Sequence, residues 1–524
     1  MTGDRNRRWL ILVSVFLALF GIVVTLQWTK GALAAEFGGD SDEPAHFVTG
    51  LMTHDYLAAG MPWPPLAYAQ NYYLHYPKVG MGHWPPVFYM VQALWMLVFG
   101  VSHVSVMLLM ASLTAFLTTV VFEIASQEFG LAVGIATAIL FLTSKAIAIG
   151  SMLVMTEILL TLLVLFATLA FARYLDEPVW RNSAWFGLWA ALALLSKGSA
   201  VLLVAVPPVA VLLSGRFGLL RRFSFWWPAV FVLAVAGPWY LLIPGAQHEK
   251  VRRFGDVLFI PSRFRGSLLS WVDFVGKLLS LAMIVGLFVL GRMIYRRRAS
   301  GLWMTGTALL IGAILSRFFI GAWEIRHLVV CVPVLMLLAM LGVQSLRQVL
   351  VGIPARLQTG VLAIIVVGLA AWNISQIPTK KQRGYSETAA SLIADTSLKD
   401  AALLVCSNST GEGVFISEVA MMEKRPGHRV LRGSKVLAVI DLMGYTYQPR
   451  YDDHEKMLAA LEKIPAGIIV VDRAGSLTRH GQMLMEGLRR HPEKWVQTPP
   501  APGSDRGGDI RVFRYVGRTE VSSR

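Results

Sequence analysis

Charge is scarce in this chain. Only 15% of its 524 residues are Asp, Glu, Lys or Arg, and 55% are hydrophobic. Soluble globular domains carry about 25% charged residues, so a wholly soluble chain is excluded. Disordered and collagen-like classes are excluded too, because they hold far fewer apolar residues. Cysteine is nearly absent: Cys331 and Cys406 are the two present, which rules out a disulfide-stapled scaffold. Cys331 lies in an apolar run, so the two read as inert thiols. There is no internal repeat and no low-complexity tract. Acidic residues are the minority, 32 against 48 basic, for a formal charge of +16. In an apolar chain such a surplus marks cytoplasmic loops at a membrane rather than nucleic-acid binding.

The charge that is present divides the chain. Residues 1–379 hold 26 Lys and Arg with 15 Asp and Glu; residues 380–524 hold 22 and 17. The break follows Trp372–Pro378 at the run Lys380-Lys381-Gln382-Arg383. This predicts a polytopic α-helical membrane domain over 1–379, with a long first outer loop at 30–86. A soluble α/β domain over 380–524 is large enough for its own core.

Apolar stretches near 9–28, 103–122, 131–150, 152–172, 183–196, 199–213, 226–243, 271–290, 302–320, 327–346 and 359–377 are the candidate spans. Several are shorter than the roughly 20 residues a crossing needs. The count is therefore eleven, and twelve or thirteen if a boundary moves. Stretch 87–100 reads as a short span or an interfacial helix. Ala32-Leu33-Ala34 resembles a cleavage site, but the preceding apolar run is long for a signal peptide and reads as a retained anchor. Arg216/Arg221/Arg222, Arg292/Arg296/Arg297/Arg298 and Arg347/Arg356 are expected to be cytoplasmic. Alternation then puts 30–86, 245–270, the Glu324–His327 turn and the C-terminal domain outside. Lys250, Arg252, Arg253, Arg263 and Arg265 make the 245–270 loop basic. That departs from the positive-inside trend, and reads either as an anionic-lipid patch or as a local error of parity.

In the tail, Ala402–Cys406 and Gly467–Asp472 read as strands. Asp452–Ile464 and Thr478–Arg490 have helical spacing. Ser409–Gly413 is glycine-containing but lacks the P-loop lysine and spacing, so it reads as a plain strand-to-helix loop.

Several ionisable residues stand where polarity is costly. Loop 30–86 gathers Asp40, Asp42, Glu43, His46, His54, Asp55, His75 and His83 among many aromatics. Asp42-Glu43 follows the first span by about 14 residues, in reach of the bilayer surface. There a carboxylate can serve as a general base toward a hydroxyl, or simply cap a helix. No His pair has the spacing of a metallohydrolase motif. The residues specify no particular cofactor, and a divalent metal stays open. Glu157, Lys197 and the group Glu324, Arg326 and His327 fall at predicted outer ends of spans. Lys197 and Arg326 are suited to an anionic phosphate, as point charge and bidentate fork, or they snorkel to water.

These motifs resemble a known family. Asp42-Glu43-Pro44-Ala45-His46-Phe47 is similar to the Asp-Glu-x-His-Phe signature of protein O-mannosyltransferases, and to the Asp-Glu motif of bacterial aminoarabinose transferases. His83-Trp84-Pro85-Pro86 with Tyr89 resembles the His-Pro-Pro-x-x-Tyr segment, with Trp84 inserted. Thr156-Glu157-Ile158-Leu159-Leu160 resembles Thr-Asp-x-Leu-Leu, with Glu for Asp. Leu195-Ser196-Lys197-Gly198 resembles Leu-Thr-Lys-Gly. Pro238-Trp239-Tyr240 matches Pro-Trp-Tyr, and Arg326-His327-Leu328 with Pro333 resembles Arg-Tyr-x-x-x…Pro. The six occur in the family's order across residues 9–377.

The resemblance is to family 39-like GT-C glycosyltransferases. It implies a polyprenyl-phosphate-sugar donor and a glycan, lipid or protein hydroxyl acceptor. Transfer would be inverting, on the extracytoplasmic side of a bacterial inner membrane. It also implies Asp42 as general base, Glu43 orienting the acceptor or substrate, and Lys197 and Arg326 on the leaving phosphate. Glu157, His83, Tyr240 and His327 would line the substrate pocket. The alternatives are a lipid-linked sugar transporter or flippase, a different lipid-linked glycan ligase or polymerase, and a non-catalytic scaffold. Transporters often carry repeated halves, and none is visible here.

Overall fold

The computed structural model describes residues 2–80, 82–243, 261–319, 324–349, 354–440, 446–463, 466–474, 478–501 and 509–517. The chain forms two compact units. One comprises Met1–Gln27, Gly82–Phe88 and Leu108–Pro378; the other comprises Trp28–Met81, Tyr89–Met107 and Thr379–Arg524.

The first unit is helical. Six helices of the described residues are long and apolar enough to cross a membrane: Asn6–Thr29, His103–Phe129, Glu157–Asp176, Lys277–Tyr295, Ile325–Arg347 and Arg356–Ser375. Five apolar helices are shorter: Val87–Phe99, Leu131–Thr143, Gly198–Ser214, Phe223–Val235 and Gly301–Arg317. The chain is an integral membrane protein on this ground.

The shortness has local causes. The expected run 131–150 stops at Thr143, where the Ser144 hydroxyl donates to Phe141 O at 2.6 Å, and a six-residue helix, Lys145–Gly150, follows. The run 199–213 begins as a 3-10 helix over Gly198–Ala205 and becomes α-helical at Val206–Ser214. Pro207 and Pro208 lack the N–H groups that would carry an α-helical ladder back across that join. The same device recurs at Ile325–Cys331, a 3-10 helix that runs into Pro333. The expected 226–243 run is likewise two pieces, Phe223–Val235 and Gly237–Leu242, with Pro238 in the first turn of the second.

Packing in this unit uses small residues. Leu19, Val23, Ala111, Ala115, Phe122, Ala138 and Leu142 form one buried cluster. At the crossing of Lys277–Tyr295 with Val332–Val349, a Cβ on Gly286 would lie 2.0 Å from Leu338 O, and one on Gly342 1.8 Å from Ala282 O. Only glycine lets these two backbones approach so closely. Cys331 is a buried free thiol here, as Cys406 is in the other unit.

The second unit contains a sheet. In chain order its strands are β1 (Ala402–Cys406), β2 (Val430–Arg432), β3 (Ala438–Ile440), β4 (Tyr447–Pro449), β5 (Ala466–Asp472), β6 (Trp495–Thr498) and β7 (Ile510–Tyr515). Five pair in the order β2-β1-β5-β7-β6, and β3 pairs with β4. β1 is parallel to β2 and β5, while β7 is antiparallel to β5 and β6. Every residue of β1 is buried, as expected of a central parallel strand covered on both faces. The core joins Leu404, Cys406, Ile469, Val471, Trp495 and Phe513 of the sheet to Met457, Leu461, Leu484 and Leu488. The latter lie on helices His454–Lys463 and Arg479–Arg490. The strands and helices expected in the tail are present with ends shifted by up to two residues. Ser409–Gly413 differs: it is the first turn of a helix, Ser409–Met422, whose N-cap Asn408 accepts from Gly411 N at 2.8 Å.

Candidate active site

Glu157, Lys197, Arg326 and His327 come together in the helical unit. Glu157 opens the Glu157–Asp176 helix and is buried. Lys197 ends an extended step before the 3-10 helix Gly198–Ala205. Arg326 sits in the first turn of the second 3-10 helix. Both cations therefore stand at the start of a tight segment whose ladder is interrupted by a following proline. Lys197 Nζ donates to Glu157 Oε1 at 2.6 Å. Arg326 Nε lies 3.7 Å from the same oxygen and also pairs with Glu324. Glu324 and His327 close a capping box around the turn. Lys197 and Glu157 are 12% and 8% exposed. Two cations thus gather at one buried carboxylate, with Glu324 as a second acid beside Arg326. Such groups are costly to bury unpaired, and the N–H donors of both cations suit a phosphate.

Two more motif segments converge on Lys197. The Tyr240 hydroxyl donates to Leu194 O at 2.7 Å. Val87 N, the first residue after His83-Trp84-Pro85-Pro86, donates to Leu195 O at 2.9 Å. These are carbonyls at the end of the Trp180–Leu194 helix, where the last ones have no partner within the helix. His83 packs on Trp84 with ring centroids 5.4 Å apart. The Tyr240 hydroxyl is thereby tied to the backbone of the Leu194–Lys197 corner.

Asp42 and Glu43 lie in the second unit. Asp42 is half-buried at the N-cap of helix Glu43–Ala58, and its carbonyl accepts from His46 N at 2.9 Å. Its own N–H donates to Asp40 Oδ1 at 2.9 Å. The positive helix N-terminus favours a carboxylate at this point. Glu43 is fully buried. Its oxygens accept from Lys380 Nζ at 2.9 and 3.2 Å, and Oε2 also accepts from Gly39 N at 2.8 Å. Lys78 lies in the field of Asp42 and Asp40. Burial, with help from Arg432, pushes its ammonium down to about 8, against the pull of those acids.

Sequence reasoning missed what holds this loop. Glu36 accepts from the N–H groups of Arg383, Tyr385 and Ser386 at 2.8, 2.7 and 3.2 Å, at the start of helix Tyr385–Ala394. Burial raises its pKa and those donors oppose the rise. Arg425 grips Asp55 at 2.6 and 3.2 Å, and Tyr72 adds a third bond to that carboxylate at 3.0 Å. The Tyr76 hydroxyl donates to Glu423, which also holds His428 Nδ1 at 2.7 Å. His103 meets Glu418 at 2.8 Å. The only sequence signal for these pairs was a loop with more acids and aromatics than an interface needs. Their partners lie more than 300 residues away in most cases.

The acid and histidine cluster of the loop is dispersed by these contacts. His46 bonds Tyr89, His54 bonds Asp55, and His75 bonds Asn71 O. Among the described residues no group of three His, Cys, Asp or Glu side chains has the geometry to hold a metal ion. Lys250, Arg252 and Arg253 of the expected basic loop lie outside the described residues.

The fold of this chain is that of the GT-C membrane glycosyltransferases. It is similar to ArnT from Cupriavidus metallidurans solved bound to undecaprenyl phosphate, with a TM-score of 0.58 at 14% identity over 96% of this chain and 98% of that one. It is also similar to the archaeal oligosaccharyltransferase AglB from Archaeoglobus fulgidus in complex with an inhibitory peptide and a dolichol-phosphate. That match has a TM-score of 0.52 at 13% identity over 89% of this chain and 70% of that one. No curated protein matches. Residues 83–241 match the family described as dolichyl-phosphate-mannose-protein mannosyltransferase. The family match covers under a third of the chain, and the solved structures share its fold at low identity.

Proposed function

We propose that this protein moves a sugar from a polyprenyl-phosphate carrier to a hydroxyl acceptor on the extracytoplasmic face of a bacterial inner membrane. The acceptor oxygen attacks the anomeric carbon, the bond from that carbon to the phosphate oxygen breaks, and the centre inverts. Asp42 takes the acceptor proton. Lys197 and Arg326 hold the departing phosphate, where negative charge grows in the transition state and preorganised cations lower the barrier. Glu157 positions both cations. Glu43, clamped by Lys380, fixes the turn that carries Asp42 and through it orients the acceptor. His83, Tyr240 and His327 shape the donor pocket. The arginine clusters at 216–222 and 292–298 support this orientation. In this reading the domain from 380 onward is extracytoplasmic.

The observation that carries the reading is the pair of cations on the single buried Glu157 carboxylate. Membranes expressing wild type or Asp42→Asn, supplied with a panel of radiolabelled polyprenyl-phosphate sugars, test it. One donor should be consumed by the wild type, and the variant should transfer about 10²–10⁴-fold more slowly while melting normally. The labelled fraction (lipid, protein or glycan) then names the acceptor. Full activity in Asp42→Asn would remove the base assignment.

A further inference from the structure

The helical unit holds a cavity of about 360 Å³ at the opposite end of the Glu157–Asp176 helix from Glu157. Twenty residues at 1.5 Å each separate the two ends by about 30 Å, the thickness of a bilayer's hydrocarbon core. The cavity therefore lies at the other membrane interface, remote from the proposed chemistry. Aromatic side chains mark the same level. Trp180, just beyond Asp176, contacts Phe223 and Trp227 at 5.8 and 5.1 Å. Trp180, Phe223 and Tyr295 are exposed, as in an interfacial belt.

Two basic corners frame the cavity. One is Ser214-Gly215-Arg216, where Gly215 turns left-handed at φ +66° to end its helix. The other is Tyr295 to Arg297, where Arg297 takes φ +54°, uncommon outside glycine. Asp176, the acid of the lining, accepts from Gly301 N at 3.1 Å and is thereby held at the start of the next helix. Among the described residues neither Arg216 nor Arg297 has a side-chain ion pair. Leu212 and Met304 give the cavity an apolar flank. The size falls within the range of ligand clefts, roughly 300–1,000 Å³.

We infer that this cavity binds the phosphodiester headgroup of an anionic glycerophospholipid, with the phosphate between Arg216 and Arg297 and the acyl chains leaving along Leu212. Two guanidinium forks match a phosphate's oxygens, and the apolar flank suits a lipid rather than a soluble anion. The site is independent of the transferase reading, because none of its residues belongs to that machinery.

The test uses the full-length protein in micelles doped with phosphatidylglycerol or phosphatidylcholine, with bound lipid counted by native mass spectrometry. Phosphatidylglycerol should be retained over phosphatidylcholine. Arg216→Gln/Arg297→Gln should weaken retention by about 10- to 30-fold, as expected for two interfacial charges. Arg292→Gln/Arg298→Gln removes the same charge outside the cavity lining and should change it little. Equal loss in that control, or equal retention of phosphatidylcholine, would overturn the site. A large excess of glycerol 1-phosphate should not displace the lipid; displacement would show a site for soluble phosphates instead. If the first variant fails to fold, Arg216→Lys/Arg297→Lys takes its place. It keeps the charge but loses the forks, and should weaken retention several-fold; no change would refute the bidentate assignment.

Discussion

The two compact units arrange buried charge differently. In the helical unit, Lys197 and Arg326 share the one buried carboxylate of Glu157. In the other unit, five acids each have a basic side chain beside them. Glu43 has Lys380, Asp55 has Arg425, Glu412 has Arg432, Glu418 has His103 and Glu423 has His428. A matched pair offsets its own desolvation and fixes geometry. Two cations gathered at one carboxylate can offer their remaining donors to a phosphate. The contrast separates architecture from chemistry better than burial does, since both sets are buried.

The largest effect should come from the cations at Glu157. Lys197→Met is expected to slow transfer by about 10²–10³-fold, the usual loss for one electrostatic donor at developing charge, with melting little changed. A variant that lost stability and kept its rate would move Lys197 to the architectural set.

The reverse is expected at Asp55. Arg425→Met strands a carboxylate that also holds Tyr72, and should lower stability on the order of 3 kcal/mol. The fall would be read as a drop in thermal midpoint and as faster proteolysis of loop 30–80. The turnover of molecules that remain folded should be near wild type.

A double-mutant cycle on Glu43→Gln and Lys380→Met sharpens the comparison. The pair should couple by about 1–3 kcal/mol in stability. If its main readout is instead kcat, then the pair positions Asp42 directly.

The smallest effect is at Lys78. Its folded-state value near 8 lies below the ordinary lysine range, so the folded state is penalised while the amine is charged. That penalty is full below pH 8 and is relieved as the pH rises from 8 toward 10.5, where the unfolded chain still holds the proton. Wild-type stability should therefore gain on the order of 1 kcal/mol across that window, reduced from the full linkage because the group is partly solvated. Lys78→Gln should flatten this gain, and an unchanged slope would assign it to another group.

Much of the fold was legible because membranes impose a composition. Apolar runs marked the helices, and Lys197 and Arg326 stood out because charge is expensive beside them. The strands read at Ala402–Cys406 and Gly467–Asp472 were legible as β-branched and aliphatic runs. β2, β3 and β4 are three residues long and β6 four, too short for any alternation to register. The two halves of the 131–150 run were illegible because their break rests on a serine hydroxyl meeting one carbonyl.

The sequence by itself determined that the protein crosses a membrane, that its tail mixes strands with helices, and which charges were out of place. Those follow from composition and local period, which every residue carries with it. Only the tertiary structure decided that Glu157 would hold two cations, that Leu194 and Leu195 would gather the Tyr240 and His83–Pro86 segments, and that Glu43 and Asp55 would be gripped by Lys380 and Arg425. Ion pairs and single hydrogen bonds between residues tens or hundreds of positions apart leave no periodic trace, and they exist only once the chain has folded.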